Sequence, residues 1–226
     1  MREERIHRIN FHRVNAYLLE TEDSIVLIDS GLSGGYTRIE RALEDLGRTN
    51  TDIHLIVLTH THYDHTGNAA ECVRKSGAKV LVHRLEAEQL RKGFSPFPKG
   101  ASPLGRCVIR LAGLLSFAGE AFDPVEADIL MDEELDLHSS GFPGTALHTP
   151  SHSKGSLSLL TDRGACFPGD VLFNILPRSV YPPFADNPEL LRGHWNMLLE
   201  RGARMFYPGH GAPFSRERVE AALRKF

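Results

Sequence analysis

Residues 53–65 read IHLIVLTHTHYDH. A nearly unbroken apolar run, Ile53 to Thr59, passes directly into His60, His62, Asp64 and His65. A continuous run of this kind suits a buried strand, and a buried strand needs packed layers around it. The flanking chain supplies them. VNAYLLE (14–20) and SIVLIDS (24–30) are rich in β-branched and large apolar residues, with TED between them as a turn. YTRIERALEDLG (36–47) has apolar residues at helical spacing and stops at Gly47, a C′ glycine. NAAECVRKSG (68–77), KVLVH (79–83) and RLEAEQLR (84–91) read as helix, strand and helix. Alternation of this kind predicts an α/β layered fold.

The second half begins irregularly. Residues 93–105, GFSPFPKGASPLG, carry three Gly and three Pro and cannot be regular. RCVIRLAGLLSFAG (106–119) is expected to form a short helix with an apolar face. From 128 to 171 the chain returns to β, through DILMDEELDL, GTALHT, GSLSLLTD and GACFPGD. NPELLRGHWNMLLERG (187–202) reads as a helix, MFYPGHG (205–211) as a strand end and loop, and RERVEAALRKF as a closing helix. No internal repeat or low-complexity linker divides the 226 residues, so a single domain over 1–226 is expected.

Bulk properties narrow the function. The chain is 41% hydrophobic and 24% charged with a net charge of −3, so the basic footprint of a nucleic-acid binder is missing. Cys72, Cys107 and Cys166 are odd in number and form no CxxC, which argues against a disulfide framework or a cysteine-rich zinc module. The opening MREERIHRIN has no apolar run behind it, so no signal peptide is expected. The longest mostly apolar run, Cys107 to Ala118, falls short of the roughly 20 residues of a membrane span. The expected setting is the cytoplasm, without a membrane or nucleic-acid partner.

His60 and His62 alternate about Thr61, so both point the same way from an extended segment. Asp64 and His65 then turn toward a second position. Imidazole binds zinc and iron, and a carboxylate adds the negative charge a dication favours. The segment can feed two adjacent metals but completes neither shell. Three further strand-end loops each offer one ligand: HTPSHSKGS gives His152, FPGD gives Asp170, and YPGHG gives His210.

In order and loop context, these four motifs resemble those of the metallo-β-lactamase superfamily. NAYLLE…IVLIDSG (15–31) also resembles that family's opening strand pair, which ends in an aspartate, here Asp29. The resemblance covers nearly the whole chain, with 91–127 the least typical part. It implies a four-layer αββα sandwich with metals at one edge of the two sheets. It assigns His60, His62 and His152 to one metal, Asp64, His65 and His210 to another, and Asp170 as a bridge. A bridging hydroxide would attack, and Asp64 would also orient the attacking water. Two divalent ions are implied, zinc by default, with iron and manganese accepting similar donors. Asp29 and Thr59 are expected to brace the ligand histidines.

Asp170 favours the glyoxalase II-like, lactonase-like and phosphodiesterase-like branches, since antibiotic-degrading members typically lack it. Phe173 stands where quorum-signal lactonases place a tyrosine. A basic C-terminal glutathione-binding extension is not found, nor is an RNA-gripping arm. Ser151 and Lys154 replace a frequent glycine and proline, and Lys154 is a candidate partner for a substrate anion. Residues 91–127, with Phe94, Phe97, Phe117 and Phe122, are expected to form a lid or specificity insert. Together with Tyr181 and Phe184 they would line an apolar pocket, the alternatives being packing against the sandwich or a homodimer interface. His83 is a weak candidate for a supporting role, His194 is read as structural rather than as a ligand, and His7, His12, His54 and His138 are assigned none. The expected function is a dinuclear metal-dependent hydrolase of a small-molecule ester, thioester or lactone. The alternatives are a mononuclear iron persulfide-dioxygenase-like oxidoreductase and a phosphodiesterase.

Overall fold

The computed structural model describes residues 4–21, 24–96, 120–177 and 179–225. The expected helix over 106–119, Phe97, Phe117 and Cys107 lie outside the described residues.

The first sheet is built from β1 (Arg5–Asn10), β2 (Asn15–Glu20), β3 (Ile25–Ile28), β4 (Ile53–Val57) and β5 (Lys79–His83). After a two-stranded ribbon, β6 (Phe94–Ser95) with β7 (Glu120–Ala121), it is completed by β8 (Ile129–Met131). β1, β2 and β3 pair antiparallel, while β3, β4, β5 and β8 run parallel. The second sheet contains β9 (Glu134–Asp136), β10 (Gly144–His148), β11 (Leu157–Thr161), β12 (Ala165–Phe167), β13 (Met205–Phe206) and β14 (Phe214–Ser215), in the spatial order β14-β13-β12-β11-β10-β9. DILMDEELDL is therefore not one strand: it leaves the first sheet at Met131 and enters the second at Glu134.

Side chains alternate across each strand, and in β2 and β3 both faces are buried. Along β2, Ala16 and Leu18 join one core, and Tyr17 and Leu19 another. Along β4, Ile56 joins the first, and Leu55 and Val57 the second. This double burial is why these strands read as continuous apolar runs. Helices α1 (Tyr36–Asp45), α2 (Tyr63–Thr66), α3 (Ala69–Ser76) and α4 (Ala87–Lys92) follow the strands of the first sheet. Ile39 and Leu43 of α1, Cys72 of α3 and Leu90 of α4 cover its outer face. The middle core lies between the sheets, where Tyr17, Val57 and Leu81 meet Phe142, Leu159 and Phe167. Trp195 and Leu198 of α5 (Leu191–Glu200) and Val219 of α6 (Arg216–Leu223) cover the second sheet with Cys166 and Phe206. The layers run helix, sheet, sheet, helix, the expected αββα sandwich. Among the described residues no helix is long and apolar enough to cross a membrane.

Candidate metal centre

Loops from both sheets converge where β4 ends. The Leu157 amide donates to the Thr59 carbonyl at 2.9 Å, tying the second sheet to the end of β4. The Gly209 amide donates to the Gly169 carbonyl at 3.0 Å, and the Asn15 amide to the Gly209 carbonyl at 2.7 Å. Glycine is required at 209, because a Cβ there would lie 2.5 Å from Asp170 Oδ1 and 2.6 Å from His65 Cε1. THYDHTGN contains the single helical turn α2. His62 stays extended, and its carbonyl accepts the amides of His65 and Thr66 at 2.9 and 3.1 Å. That turn brings the His65 ring beside that of His60, with centroids 4.1 Å apart.

All seven sequence-predicted ligands come together. His60, His62 and His152 form one group and Asp64, His65 and His210 a second, each with its ligand atoms within 4.8 Å of one another. Asp170 groups with His60 and His65, one from each set. Its Oδ2 lies 3.5 Å from His152 Nε2 and 3.3 Å from His210 Nε2, and its Oδ1 3.4 Å from His65 Nε2. His62 Nδ1 is 2.9 Å from His152 Nε2, and Asp64 Oδ2 is 3.4 Å from His210 Nε2.

Outer contacts fix which nitrogen faces inward. Asp29 Oδ2 lies 2.8 Å from His65 Nδ1 and accepts from Thr59 Oγ1 at 2.9 Å. With its proton committed to Asp29, the Thr59 hydroxyl accepts from His60 Nδ1 at 3.1 Å. His152 Nδ1 donates to the Phe184 carbonyl at 2.9 Å, and His210 Nδ1 to the Arg13 carbonyl at 2.6 Å. Each contact leaves Nε2 of its histidine pointing into the centre. Asp29 and Thr59 stand where the sequence placed them; the two carbonyls carry no side-chain signal and were not legible.

Burial, with neighbouring imidazoles adding, pushes His60 well below the usual histidine value, and burial pushes His62 and His152 down to about 4. Burial also opposes charge on His65 and His210, but carboxylates win there. Asp170, Asp29 and Asp64 raise His65 well above its ordinary value, and Asp170 and Asp64 raise His210 to about 10. Despite burial, His65 and His210 hold Asp64 and Asp170 below the usual carboxylate range. One set thus offers three neutral imidazoles, while the other balances two carboxylates with protons that a cation replaces. His60 Nε2, His65 Nε2 and Asp170 Oδ1 are buried with no hydrogen-bond partner. Such orphaned donors and acceptors are costly unless a ligand meets them, and this nitrogen and oxygen set fits divalent metal.

A cavity of about 560 Å³ opens over the centre. His62, Asp64, His152, Asp170 and His210 line its floor, with Leu32, Phe173, Ile175, Pro183 and Phe184 on its apolar sides. Phe173 stacks on the His210 ring with centroids 4.6 Å apart. Phe184 lies where it was expected, but Tyr181 packs edge-on against Trp195 instead. Phe122 is buried in the first core rather than at the cavity. Lys154 is exposed and not among the cavity-lining residues; its carbonyl receives His148 Nε2 at 2.9 Å. His83 stacks on His148, and His194 Nδ1 lies 3.3 Å from Ser151 Oγ; neither joins the ligand groups. His12, given no role by the sequence, lines the cavity mouth with Arg13. Glu86, also unforeseen, is buried and accepts from Thr61 N at 3.1 Å, Ser153 Oγ at 2.7 Å and Gly155 N at 3.1 Å, as well as from Thr61 Oγ1.

The chain is also similar to known proteins. The chain is 29% identical to a human acyl-coenzyme A thioesterase, MBLAC2, over 92% of this chain and 76% of that protein. It is 26% identical to the hydroxyacylglutathione hydrolase GloC of Haemophilus influenzae, over 72% and 68% of the two chains. The crystal structure of metallo-beta-lactamase family protein TTHA1429 from Thermus thermophilus superposes with a TM-score of 0.70 at 22% identity, covering 98% of this chain and 78% of that one. Residues 9–210 match the sequence profile described as the metallo-beta-lactamase superfamily. With that match over most of its length, the chain belongs to the metallo-beta-lactamase superfamily.

Proposed function

We propose that the protein is a dinuclear metal-dependent hydrolase of small acyl thioesters. The observation that carries the reading is the pair of three-residue donor groups, linked through Asp170, on the floor of a cavity with apolar sides. Two divalent ions held there, zinc by donor chemistry, would polarise an acyl oxygen and lower the pKa of water to about 7. Asp64 is ionised at neutral pH and lines the cavity floor, so its carboxylate can orient a water and accept its proton. Phe173, Ile175 and Phe184 give an acyl chain an apolar surface. A thiolate, with a thiol pKa of about 8.5, leaves without prior protonation, so the floor must only deliver water and stabilise charge. Thioesters are also what the names of two relatives, a thioesterase and a hydroxyacylglutathione hydrolase, describe.

The test is a panel of thioesters, esters, lactones and phosphodiesters with zinc-loaded protein, alongside Asp64→Asn and His62→Ala. Thioesters are expected to turn over fastest, and Asp64→Asn to lose about 10²- to 10⁴-fold in kcat with its fold intact by circular dichroism. Activity retained in both variants would sink the mechanism. Oxygen uptake with a persulfide, at one iron per chain, would replace it with sulfur oxidation.

A further inference from the structure

One side of the cavity is neither floor nor apolar wall. It is the loop joining β1 to β2, which contributes Asn10, His12 and Arg13. This loop is tightly determined. The Phe11 amide donates to the Val14 carbonyl at 2.8 Å, the Arg13 amide to the Phe11 carbonyl at 2.9 Å, and the His12 amide to Asn10 Oδ1 at 2.7 Å. His12 sits at φ 70°, a left-handed conformation that a histidine rarely adopts and that surrounding contacts must hold. Arg38 of α1 supplies two such contacts, donating to the Asn10 carbonyl at 3.1 Å and to His12 Nε2 at 2.7 Å.

The result is one guanidinium, that of Arg13, on a residue lining the cavity, with Arg38 behind the loop. The Arg13 carbonyl is fixed to the floor by His210 Nδ1, and Arg13 is an exposed residue that lines the cavity. Among the described residues no carboxylate pairs with the Arg13 guanidinium. A guanidinium is a planar fork of donors matched to carboxylate and phosphate oxygens. An alkyl acyl group carries no anion, so an anion on a thioester belongs to its thiol half.

We propose that Arg13, backed by His12 and Arg38, is an anion subsite for a carboxylate or phosphate on the thiol half of the substrate. The proposal rests on the thioester reading. It divides the cavity: the acyl chain lies against Phe173, Ile175 and Phe184, and the charged half lies along the β1–β2 loop.

The experiment uses zinc-loaded full-length protein, as wild type, Arg13→Gln and Arg13→Lys. Calorimetry measures binding of non-hydrolysable thioethers: S-butyl-coenzyme A, S-butyl-glutathione and the neutral S-butyl-N-acetylcysteamine. Kinetics use the three matching butyryl thioesters. Arg13→Gln is expected to weaken the charged ligands relative to the neutral one by about tenfold to a hundredfold, the weight of one charge-assisted hydrogen bond. The loss should appear in KM rather than kcat, and Arg13→Lys should recover part of it. About 0.5 M salt should erase most of the wild-type preference. A larger loss with the coenzyme A thioether identifies a phosphate, and with the glutathione thioether a carboxylate. Equal loss on charged and neutral ligands, or no loss, overturns the subsite. If the wild type cleaves no thioester but binds the charged thioethers through Arg13, the thioester reading fails and the subsite stands. If it cleaves thioesters without regard to Arg13, the reverse holds.

Discussion

Glu86 sits in RLEAEQLR, a stretch that reads as an ordinary solvated helix face. In the fold it is buried, because the loops after β4 and β10 close over it from opposite sheets. One of its oxygens accepts from Thr61, between His60 and His62, and the other from Ser153 and Gly155, beside His152. It therefore clamps together the loops that hold the three-histidine group. Glu86→Gln keeps the volume but turns one acceptor into a donor facing other donors, so buried groups lose partners at about 1–3 kcal/mol each. Lower stability in denaturant is expected, with roughly 10- to 100-fold weaker binding of the metal at His60, His62 and His152. Zinc titration against a chromophoric chelator checks this, and wild-type affinity at both sites would exclude the clamp. The contrast with the ligands shows what the sequence makes legible at this scale. Histidine and aspartate at HxHxDH spacing are chemically conspicuous. A glutamate becomes special only through loops that meet from distant parts of the chain.

At the scale of elements, regular strands with both faces buried announce themselves by apolar sequence, unbroken in β3 and interrupted only by His54 in β4. β1 does not: RIHRIN carries two arginines in six residues and is buried only at Ile9, and it becomes a strand because it pairs along the whole length of β2. The short α2 turn is likewise fixed by tertiary context, the His62 carbonyl collecting two amides beside the metal centre. The loop between β13 and β14 is legible through its glycines, and Gly209 has the stricter physical reason. Gly209→Ala would drive a methyl into Asp170 and His65, so the loop must withdraw and take His210 with it. Elemental analysis of that variant is expected to find fewer than two metals per chain, with kcat/KM lowered at least about a hundredfold. The sheets should survive, since the contact lies outside all three cores. Two tightly held metals in the variant would show that the loop has room the geometry denies it.

Across the whole molecule, two sheets pack face to face and their loops meet around a polar centre, and pH sets how stable that arrangement is without metal. His62 and His152, held near 4 by burial, stay neutral in the fold but charge in the unfolded chain below about 6.5. Between those values the unfolded chain binds more protons, so stability falls as the solution is acidified through that window. His210 works in the opposite direction. Burial disfavours its charge, but Asp170 and Asp64 raise it to about 10, so the fold holds this proton more tightly than the unfolded chain does. That contribution is complete below about 6.5 and disappears as pH rises through about 10. Chelator-treated protein should therefore show a Tm maximum near pH 6.5, with declines on both sides. Zinc must displace the His210 proton to bind, so its stabilisation should grow as pH rises. The gain in Tm on adding zinc is then larger at about pH 8.5 than at about pH 6.5. Scanning calorimetry of chelated and zinc-loaded protein across this range tests both signs. If the chelated protein instead gains stability steadily from pH 6.5 to the alkaline limit, His210 is not paired with Asp64 and Asp170 in solution, and the second donor group is not assembled before metal arrives.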